Sequence, residues 1–140
     1  MKLGAIVLDS DNIEELSDFY AKMLGWTKSS QVHEGKKWIT VIKDDYTETP
    51  LVFQQNSDYK KPVWPSNPIE QQQMIHLDFY VKTDEFDEKV KHAITCGAKM
   101  AESQFSSDWK VMIDASGHPF CIIPIPKEIY EQRYGSYLAV

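Results

Sequence analysis

The sequence lacks any surplus of positive charge. Its 15 Lys and Arg residues stand against 21 Asp and Glu residues, which gives a formal net charge of -6. The lysines are scattered, and pairs such as Lys36-Lys37 do not form the basic stripe that holds a phosphate backbone. The composition therefore predicts no nucleic-acid partner, and it gives no attraction to anionic lipid.

Cysteines are few as well, and no long apolar run is present. Cys96 and Cys121 form no CxxC or zinc-ribbon spacing. Two isolated cysteines are typical of a reduced cytosolic protein, although a single disulfide stays open. The apolar run at residues 3–9 is too short for a signal peptide or a membrane span. We therefore expect a buried strand there, no membrane partner and a cytoplasmic location.

What is present suits a small globular protein. Hydrophobic residues make up 42% and charged residues 26% of the 140 residues. This length suits one domain, or two very small units that share a core.

The first part of the chain has the order strand, helix, strand, strand, strand. Asn12 is the predicted helix N-cap with Glu15 in capping-box position, and Gly25 is the predicted C-cap. Residues 33–36 predict a hairpin turn. The predicted strands are residues 3–9, 26–32, 37–43 and 50–55.

The same order recurs in the second part, after a proline-containing segment at 57–73 without periodicity, which we interpret as a linker. Asp84 is the predicted cap of the second helix and Gly97 its end. Pro124 and Pro126 are predicted to end the last strand. The predicted strands are residues 74–81, 98–101, 109–114 and 120–123.

The repeated βαβββ order predicts an α+β protein of two similar modules in one domain, 1–140. Module 1 is expected at about 1–56, the linker at about 57–73, module 2 at about 74–126 and a C-terminal tail at 127–140. The tail has large apolar residues at loosely helical spacing, which are Ile129, Tyr130, Tyr134, Tyr137 and Leu138. It is expected to cover an open strand edge or to pack on a second subunit.

Several short motifs follow one another along the chain. They are Leu8-Asp9-Ser10-Asp11-Asn12, Phe19-Tyr20, Leu24-Gly25-Trp26, Pro62-Val63-Trp64-Pro65, His76-Leu77-Asp78 and the run from Asp114 to Cys121. In this order they resemble the glyoxalase/bleomycin-resistance superfamily, also called vicinal oxygen chelate proteins, and its glyoxalase-like subgroup. The resemblance implies two βαβββ modules whose curved mixed sheets form a cup, a small molecule bound in the cup, and a homodimer.

The resemblance also implies where metal ligands would stand, on the first and last strands of each module. In the first strand the matching residue is Ala5 or Val7, neither of which binds metal. His76 falls at the matching position of the second module. Gln54 and Cys121 fall at the two remaining positions, where the family usually has a carboxylate.

A hard divalent cation prefers carboxylates, and this set supplies none. We therefore expect no cofactor and no catalytic metal. If a divalent metal does bind, the predicted ligands are His76 and Gln54.

Strand alternation places three polar side chains, His76, Asp78 and Tyr80, on one face. They either orient a small substrate, with His76 as the candidate acid–base catalyst, or form a solvated polar face. Cys121 is either a nucleophile beside His118 or His76, or a small buried core residue, and the second interpretation is favoured. We interpret His118 itself as part of a turn.

Trp64 lies in the predicted linker and is a candidate for lining an apolar pocket. The predicted ligand-binding residues are Gln54, Trp64, His76, Asp78, Tyr80 and Cys121. The predicted function is binding of an unidentified small molecule by a glyoxalase-like protein. Two alternatives stay open, namely a metal-dependent lyase, isomerase or dioxygenase of the superfamily and a drug-sequestering, bleomycin-type resistance protein.

Overall fold

The fold is taken from a computed structural model, which describes residues 1–135. The chain divides into two compact units between Lys60 and Lys61, inside the predicted linker at 57–73. Each unit contains a four-stranded mixed sheet and a helix in the order βαβββ. The predicted α+β class and the repeated module order are therefore confirmed.

In the first unit, one helix covers a four-stranded sheet. The elements are β1 Ile6–Ser10, α1 Ile13–Leu24, β2 Thr27–His33, β3 Lys36–Ile42 and β4 Leu51–Gln55. Strand β4 lies between β1 and β3, parallel to the first and antiparallel to the second, and β2 completes the sheet beside β3. Leu8, Ile39 and Phe53 are buried, and the Tyr20 ring of α1 stacks on Phe53 at a centroid distance of 5.7 Å.

Local signals for α1 and the hairpin turn are confirmed. The Asn12 side chain accepts a hydrogen bond from the Glu15 N–H at 3.2 Å, and its own amide donates to the Glu15 carboxylate at 3.2 Å. Gly25 ends the helix at a φ of 70°, in the left-handed region. Glu34 and Gly35 also have positive φ, 50° and 76°, as the tight turn between two twisted strands requires.

The second unit repeats this arrangement and adds a helix. The elements are β5 Leu77–Lys82, α2 Phe86–Thr95, β6 Lys99–Met100, β7 Lys110–Ile113, β8 Pro119–Ile125 and α3 Lys127–Tyr134. Strand β8 lies between β5 and β7, parallel to β5 and antiparallel to β7. Met112 and Phe120 are fully buried, and the Phe79 ring meets Phe120 edge-on at 5.7 Å.

The two modules also share their strand register. Asp9 of β1 lies opposite Gln54 of β4, and Asp78 of β5 lies opposite Cys121 of β8. Gln54 and Cys121 therefore occupy equivalent positions in the two modules, as the sequence predicted.

The start of β5 differs from the prediction of a strand at 74–81. Pairing begins with Leu77 opposite Phe120, so His76 precedes the strand by one residue. An extension of this register would place His76 opposite Pro119, which has no N–H to donate. The strand therefore begins one residue after His76.

The start of the second helix also differs from the prediction. Asp84 does not cap α2, because Thr83–Glu85 forms a 3₁₀ turn, and the Phe86 N–H donates to the Thr83 carbonyl. Glu85 precedes α2 and makes no capping hydrogen bond with its side chain. At the other end Gly97 has a φ of 120° just after the helix, as the prediction of a terminating glycine requires.

Pro124 does not end the last strand, since β8 continues through it to Ile125. The last residue of β7 paired with β8 is Lys110, opposite Ile122. Beyond that point β8 has β5 on one side only, so a proline is accommodated at the unpaired side.

The tail is helical over α3, which contacts the edge strand β5. An ion pair between Lys127 and Glu131 at 3.9 Å and ring contact between Tyr130 and Tyr134 at 5.0 Å support the helix. The predicted apolar positions Tyr137 and Leu138 lie outside the described residues. Within residues 1–135, no helix has the length and apolar character needed to cross a bilayer.

Candidate functional site

One face of the second sheet carries polar residues on β5 and apolar residues on the strands beside it. We call it the Cys121 face; its side chains alternate with the fully buried ones such as Phe120 and Met112. It consists of Asp78 and Tyr80 from β5, Val111 and Ile113 from β7, and Cys121 and Ile123 from β8.

The polar part of this face is centred on Asp78. Its Oδ1 lies 3.3 Å from Nε2 of His76, which stands just before β5. The His76 and Asp78 side chains keep 45% and 39% of their surface exposed. Both side chains can therefore still contact a molecule from solvent.

Cys121 also adjoins Asp78 and lies opposite it in the pairing of β5 with β8. Burial raises the pKa of Cys121 to about 11, and the negative charge of Asp78 and the thiol's hydrogen bond to that carboxylate add to the shift. The sulfur therefore carries its proton at neutral pH. This supports the prediction of a buried, unreactive cysteine over that of a nucleophile.

Apolar side chains surround Cys121. Ala101, Val111 and Cys121 form a buried cluster, and four partly buried side chains pack against it. We call these seven residues the apolar wall, and the four are Trp64, Trp109, Ile113 and Ile123. The Trp64 indole N–H donates to the Ser103 carbonyl at 3.3 Å, and its ring meets Phe105 edge-on at 5.4 Å. Trp64 of the predicted linker is thus fixed against the Cys121 face.

The irregular loop between β6 and β7 is held by Gln104. Its amide nitrogen donates to the carbonyls of Ala101 at 2.9 Å and Val111 at 2.8 Å, while its oxygen accepts from the Val111 N–H at 2.9 Å. These bonds tie the two ends of the loop, at Ala101 and Val111, together beside the apolar cluster.

Four of the predicted ligand residues therefore stand together, namely Trp64, His76, Asp78 and Cys121, and Tyr80 follows two residues along β5. Gln54 belongs to the first unit, where it lines a depression of about 310 Å³ together with Gly35, Lys36, Lys37, Trp38 and Gln55.

His118 has the turn role that was predicted for it. Its Nδ1 lies 2.9 Å from Oδ2 of Asp114, a buried carboxylate. Oδ1 of Asp114 also accepts the N–H groups of Ser116 and His118, each at 2.9 Å. The imidazole is thus engaged within the turn between β7 and β8.

Sequence reasoning missed Gln104, Phe105, Trp109 and Ile123 as residues on or near this face. Strand alternation from Cys121 would have found Ile123, and alternation from Val111 would have found Trp109. The sequence has no periodic signal for Gln104 or Phe105, since they lie in an irregular loop.

Comparison with known proteins adds to this geometry. A family model described as a glyoxalase-like domain matches residues 5–123. The chain belongs to this glyoxalase-like family. No curated protein matches the sequence. The resemblance drawn from the short motifs is therefore confirmed at the level of the family.

Solved structures with the same fold include members of the wider superfamily. A glyoxalase/dioxygenase from Nostoc punctiforme is 20% identical, with a TM-score of 0.62 over 90% of this chain and 92% of that one. A glyoxalase/bleomycin resistance protein/dioxygenase family enzyme from Burkholderia phytofirmans PsJN is 17% identical, with a TM-score of 0.64 over 89% and 99%. At these identities the likeness shows the fold of this glyoxalase-like chain.

A third similar structure contains a metal. It is a mutant of the fosfomycin resistance protein FosX from Listeria monocytogenes, complexed with Mn(II) and 1S,2S-dihydroxypropylphosphonic acid. It is 13% identical, with a TM-score of 0.66 over 92% of this chain and 96% of that one.

The residues of this glyoxalase-like chain fit an ion of that kind only in part. One ligand atom each from His76, Asp78 and Cys121 lies within 4.8 Å of the others, which is the spacing of a metal cluster. Mn(II) prefers carboxylate, imidazole and water. Asp78 and His76 supply the first two, and Asp78 is a carboxylate that the sequence-based ligand set lacked, whereas Cys121 offers a soft thiol that this ion does not favour.

Proposed function

We propose that this glyoxalase-like protein binds a small molecule on the Cys121 face without a catalytic metal. The observation that carries the proposal is the meeting of two surfaces at Cys121, the polar pair of His76 and Asp78 and the apolar wall with Trp64 and Trp109. An apolar wall with a few convergent polar groups is the usual composition of a small-molecule site.

Asp78 supplies the polar end of the proposed site. A carboxylate can accept about four hydrogen bonds, and Asp78 is used here by the Cys121 thiol and by His76. Its remaining acceptor capacity and its 39% exposure leave it able to accept a bond from a hydroxyl or amine of the ligand.

His76 is the residue that would exchange a proton with the ligand, if the protein transforms it. The contact with Asp78 orients the imidazole, as a carboxylate does beside a general acid–base histidine. Tyr80 lies next on the same side of β5 and is 39% exposed, so it extends the polar edge.

Trp64 and Trp109 supply the apolar end. Indole rings contact planar or aromatic groups through dispersion and ring stacking. We therefore propose a ligand with a planar apolar part against the wall and a hydrogen-bonding part at Asp78.

Metal-dependent catalysis is the second candidate function, and the spacing of His76, Asp78 and Cys121 within 4.8 Å is the observation in its favour. Metal analysis of protein purified without chelators separates the two. We expect substoichiometric divalent metal that is unchanged in His76→Ala. Stoichiometric metal that is lost in this variant would favour the second candidate.

The binding proposal is tested by calorimetry on hits from a thermal-shift screen of small aromatic compounds, with the protein in EDTA. We expect Trp64→Ala to weaken binding of such hits by about tenfold, in line with the loss of one aromatic contact. Trp26→Ala removes a tryptophan from the first unit and is the control, with unchanged affinity expected. Equal affinity of both variants for every hit would contradict the placement of the site.

We also propose a homodimer, as the resemblance implies, and a cytoplasmic location, as the two isolated cysteines indicate. Sedimentation velocity at several concentrations tests the dimer, which predicts a species of about twice the 16.2 kDa chain. A single species of chain mass at all concentrations would contradict it.

A further inference from the structure

Two cations and two tyrosine rings meet where α3 contacts β5. Tyr80 and Lys82 are two residues apart on one side of β5, and Tyr130 and Arg133 are three apart on one side of α3. Cζ of Arg133 lies 6.0 Å from the centroid of the Tyr80 ring, and Nζ of Lys82 lies 5.5 Å from that of Tyr130. Each cation thus packs on an aromatic ring of the other element.

These two cations pack on rings rather than on carboxylates. Arg133 is the only arginine of the sequence, in a chain where 21 acidic residues face 15 basic ones. Among the described residues, neither Arg133 nor Lys82 forms an ion pair with Asp or Glu. Arg133 is exposed, so its N–H donors can reach a molecule from solvent.

The cation pair adjoins the proposed ligand site. Tyr80, which contacts Arg133, follows Asp78 by two residues on the Cys121 face. Two residues along a strand span roughly 6.6 Å, a distance that a molecule of a few bonds can bridge. A ligand held at Asp78 could therefore place a second polar group at Arg133.

We propose that Arg133 and Lys82 bind an oxyanion of the ligand, so that the ligand of the Cys121 face is a small organic anion. This inference rests on the proposed function and names its substrate class. The planar guanidinium forms two parallel hydrogen bonds to a carboxylate or a phosphate group, and Lys82 adds a point charge. The chemistry is shared by carboxylates and phosphate esters, and the test distinguishes the two.

The test uses ¹⁵N-labelled protein in EDTA, titrated separately with benzoate, phenyl phosphate and benzyl alcohol. Because Arg133 is the only arginine, its Nε–H gives a single side-chain resonance. The indole N–H resonances of Trp64 and Trp109 report on the apolar wall in the same spectra. We expect benzoate or phenyl phosphate to shift the Arg133 resonance saturably and to bind at least about tenfold more tightly than benzyl alcohol. Comparison of the two anions shows which oxyanion is preferred.

Variants separate a specific oxyanion site from general charge attraction. Arg133→Gln should remove the higher affinity for the anion relative to benzyl alcohol. Arg133→Lys should retain part of this difference, because lysine keeps the positive charge but cannot form the two parallel hydrogen bonds of the guanidinium. Lys127→Gln removes the same charge from the same helix and is the control, with unchanged affinity expected. Lys82→Gln tests the second cation and should lower only the affinity for the anions.

The outcomes distinguish this inference from the proposed function. If benzyl alcohol and benzoate shift Trp64 and Trp109 with equal affinity and the Arg133 resonance stays in place, the anion site is wrong while the binding face stands. Equal losses in Arg133→Gln and Lys127→Gln would likewise overturn the anion site. If no probe shifts either indole, the binding face is contradicted, and the anion site with it.

Discussion

Asp78 lies directly opposite Cys121 in the parallel pairing of β5 with β8, and its carboxylate accepts a hydrogen bond from the thiol. The equivalent pair of the first unit, Asp9 and Gln54, has the same register but a different partner. There the Asp9 carboxylate accepts from the Asn56 amide at 3.0 Å. The two modules therefore share their backbone arrangement and differ in the side chains at this position. Only the carboxylate of the second module, Asp78, lies beside both a histidine and a thiol in this comparison.

The first prediction concerns the reactivity of Cys121. A pKa raised from 9.0 to about 11 leaves about a hundredfold less thiolate at neutral pH. In a Cys96→Ser background, we expect iodoacetamide to modify Cys121 about a hundred times more slowly in the folded protein than in urea. Mass spectrometry of the intact protein measures both rates.

Asp78→Asn should raise the alkylation rate of Cys121 several-fold, because the nearby charge is removed while burial, the larger cause, remains. Asp84→Asn in the 3₁₀ turn before α2 is the matched control and should leave the rate unchanged. Equal rates in folded and unfolded protein would contradict the protection of Cys121 by burial, and a faster rate in the folded protein would indicate an activated thiolate.

The second prediction concerns Asp114, the buried carboxylate of the turn between β7 and β8. Asp114→Ala removes the buried carboxylate that accepts the N–H groups of Ser116 and His118, so we expect a loss of at least about 2 kcal/mol in the free energy of unfolding. Urea unfolding measures this loss. Asp108→Ala, at an exposed loop residue, should change it by less than about 0.5 kcal/mol. Comparable losses in the two variants would contradict the turn's dependence on Asp114.

The third prediction concerns Glu14, which ties α1 to the sheet of the first unit. Hydrogen bonds from Lys28, at 2.7 Å, and from Lys37 lower the pKa of Glu14 from 4.5 to about 2. Because these hydrogen bonds favour the ionised Glu14 carboxylate in the folded state, Glu14 stabilises the fold above pH 4.5. This stabilisation is lost as the pH falls through about 2.

Glu14→Gln should therefore lower the urea midpoint at pH 6, and the difference from wild type should shrink towards zero near pH 2. Glu102→Gln, at an exposed residue of the second unit, is the control. A difference that stays constant between pH 6 and pH 2 would show that the effect of Glu14 is not electrostatic.

The sequence was sufficient for several local signals of the first unit. Asn12, Gly25 and the turn at Glu34 and Gly35 each act through their own backbone, so their roles could be predicted without knowledge of the fold. Strand alternation likewise predicted that Asp78 and Tyr80 share one face.

Features that depend on a partner strand could not be predicted. The start of β5 depends on Pro119 of β8, and Pro124 is accommodated because β7 has already ended. Helix α3 buries none of its described residues, so only the structure shows that it contacts β5. For that reason Arg133, which we propose as part of an anion site, was not among the predicted site residues.

The candidate site was predicted in part. Residue type and alternation indicated Asp78 and Cys121, whereas their coupling through a hydrogen bond needs the parallel register of two strands far apart in sequence. Trp64 was selected because it did not fit a strand or helix pattern, and its packing against Cys121 depends on the fold of the linker.

The central claim is that the Cys121 face binds a small molecule without a metal. It is tested most directly by titrating ¹⁵N-labelled protein with benzoate, first in EDTA and then, after the chelator is removed, with one equivalent of Zn²⁺. We predict saturable shifts of the Trp64 and Trp109 indole resonances in EDTA, with the same affinity after the metal is added. Shifts that occur only with the metal, and that vanish in His76→Ala, would contradict this claim.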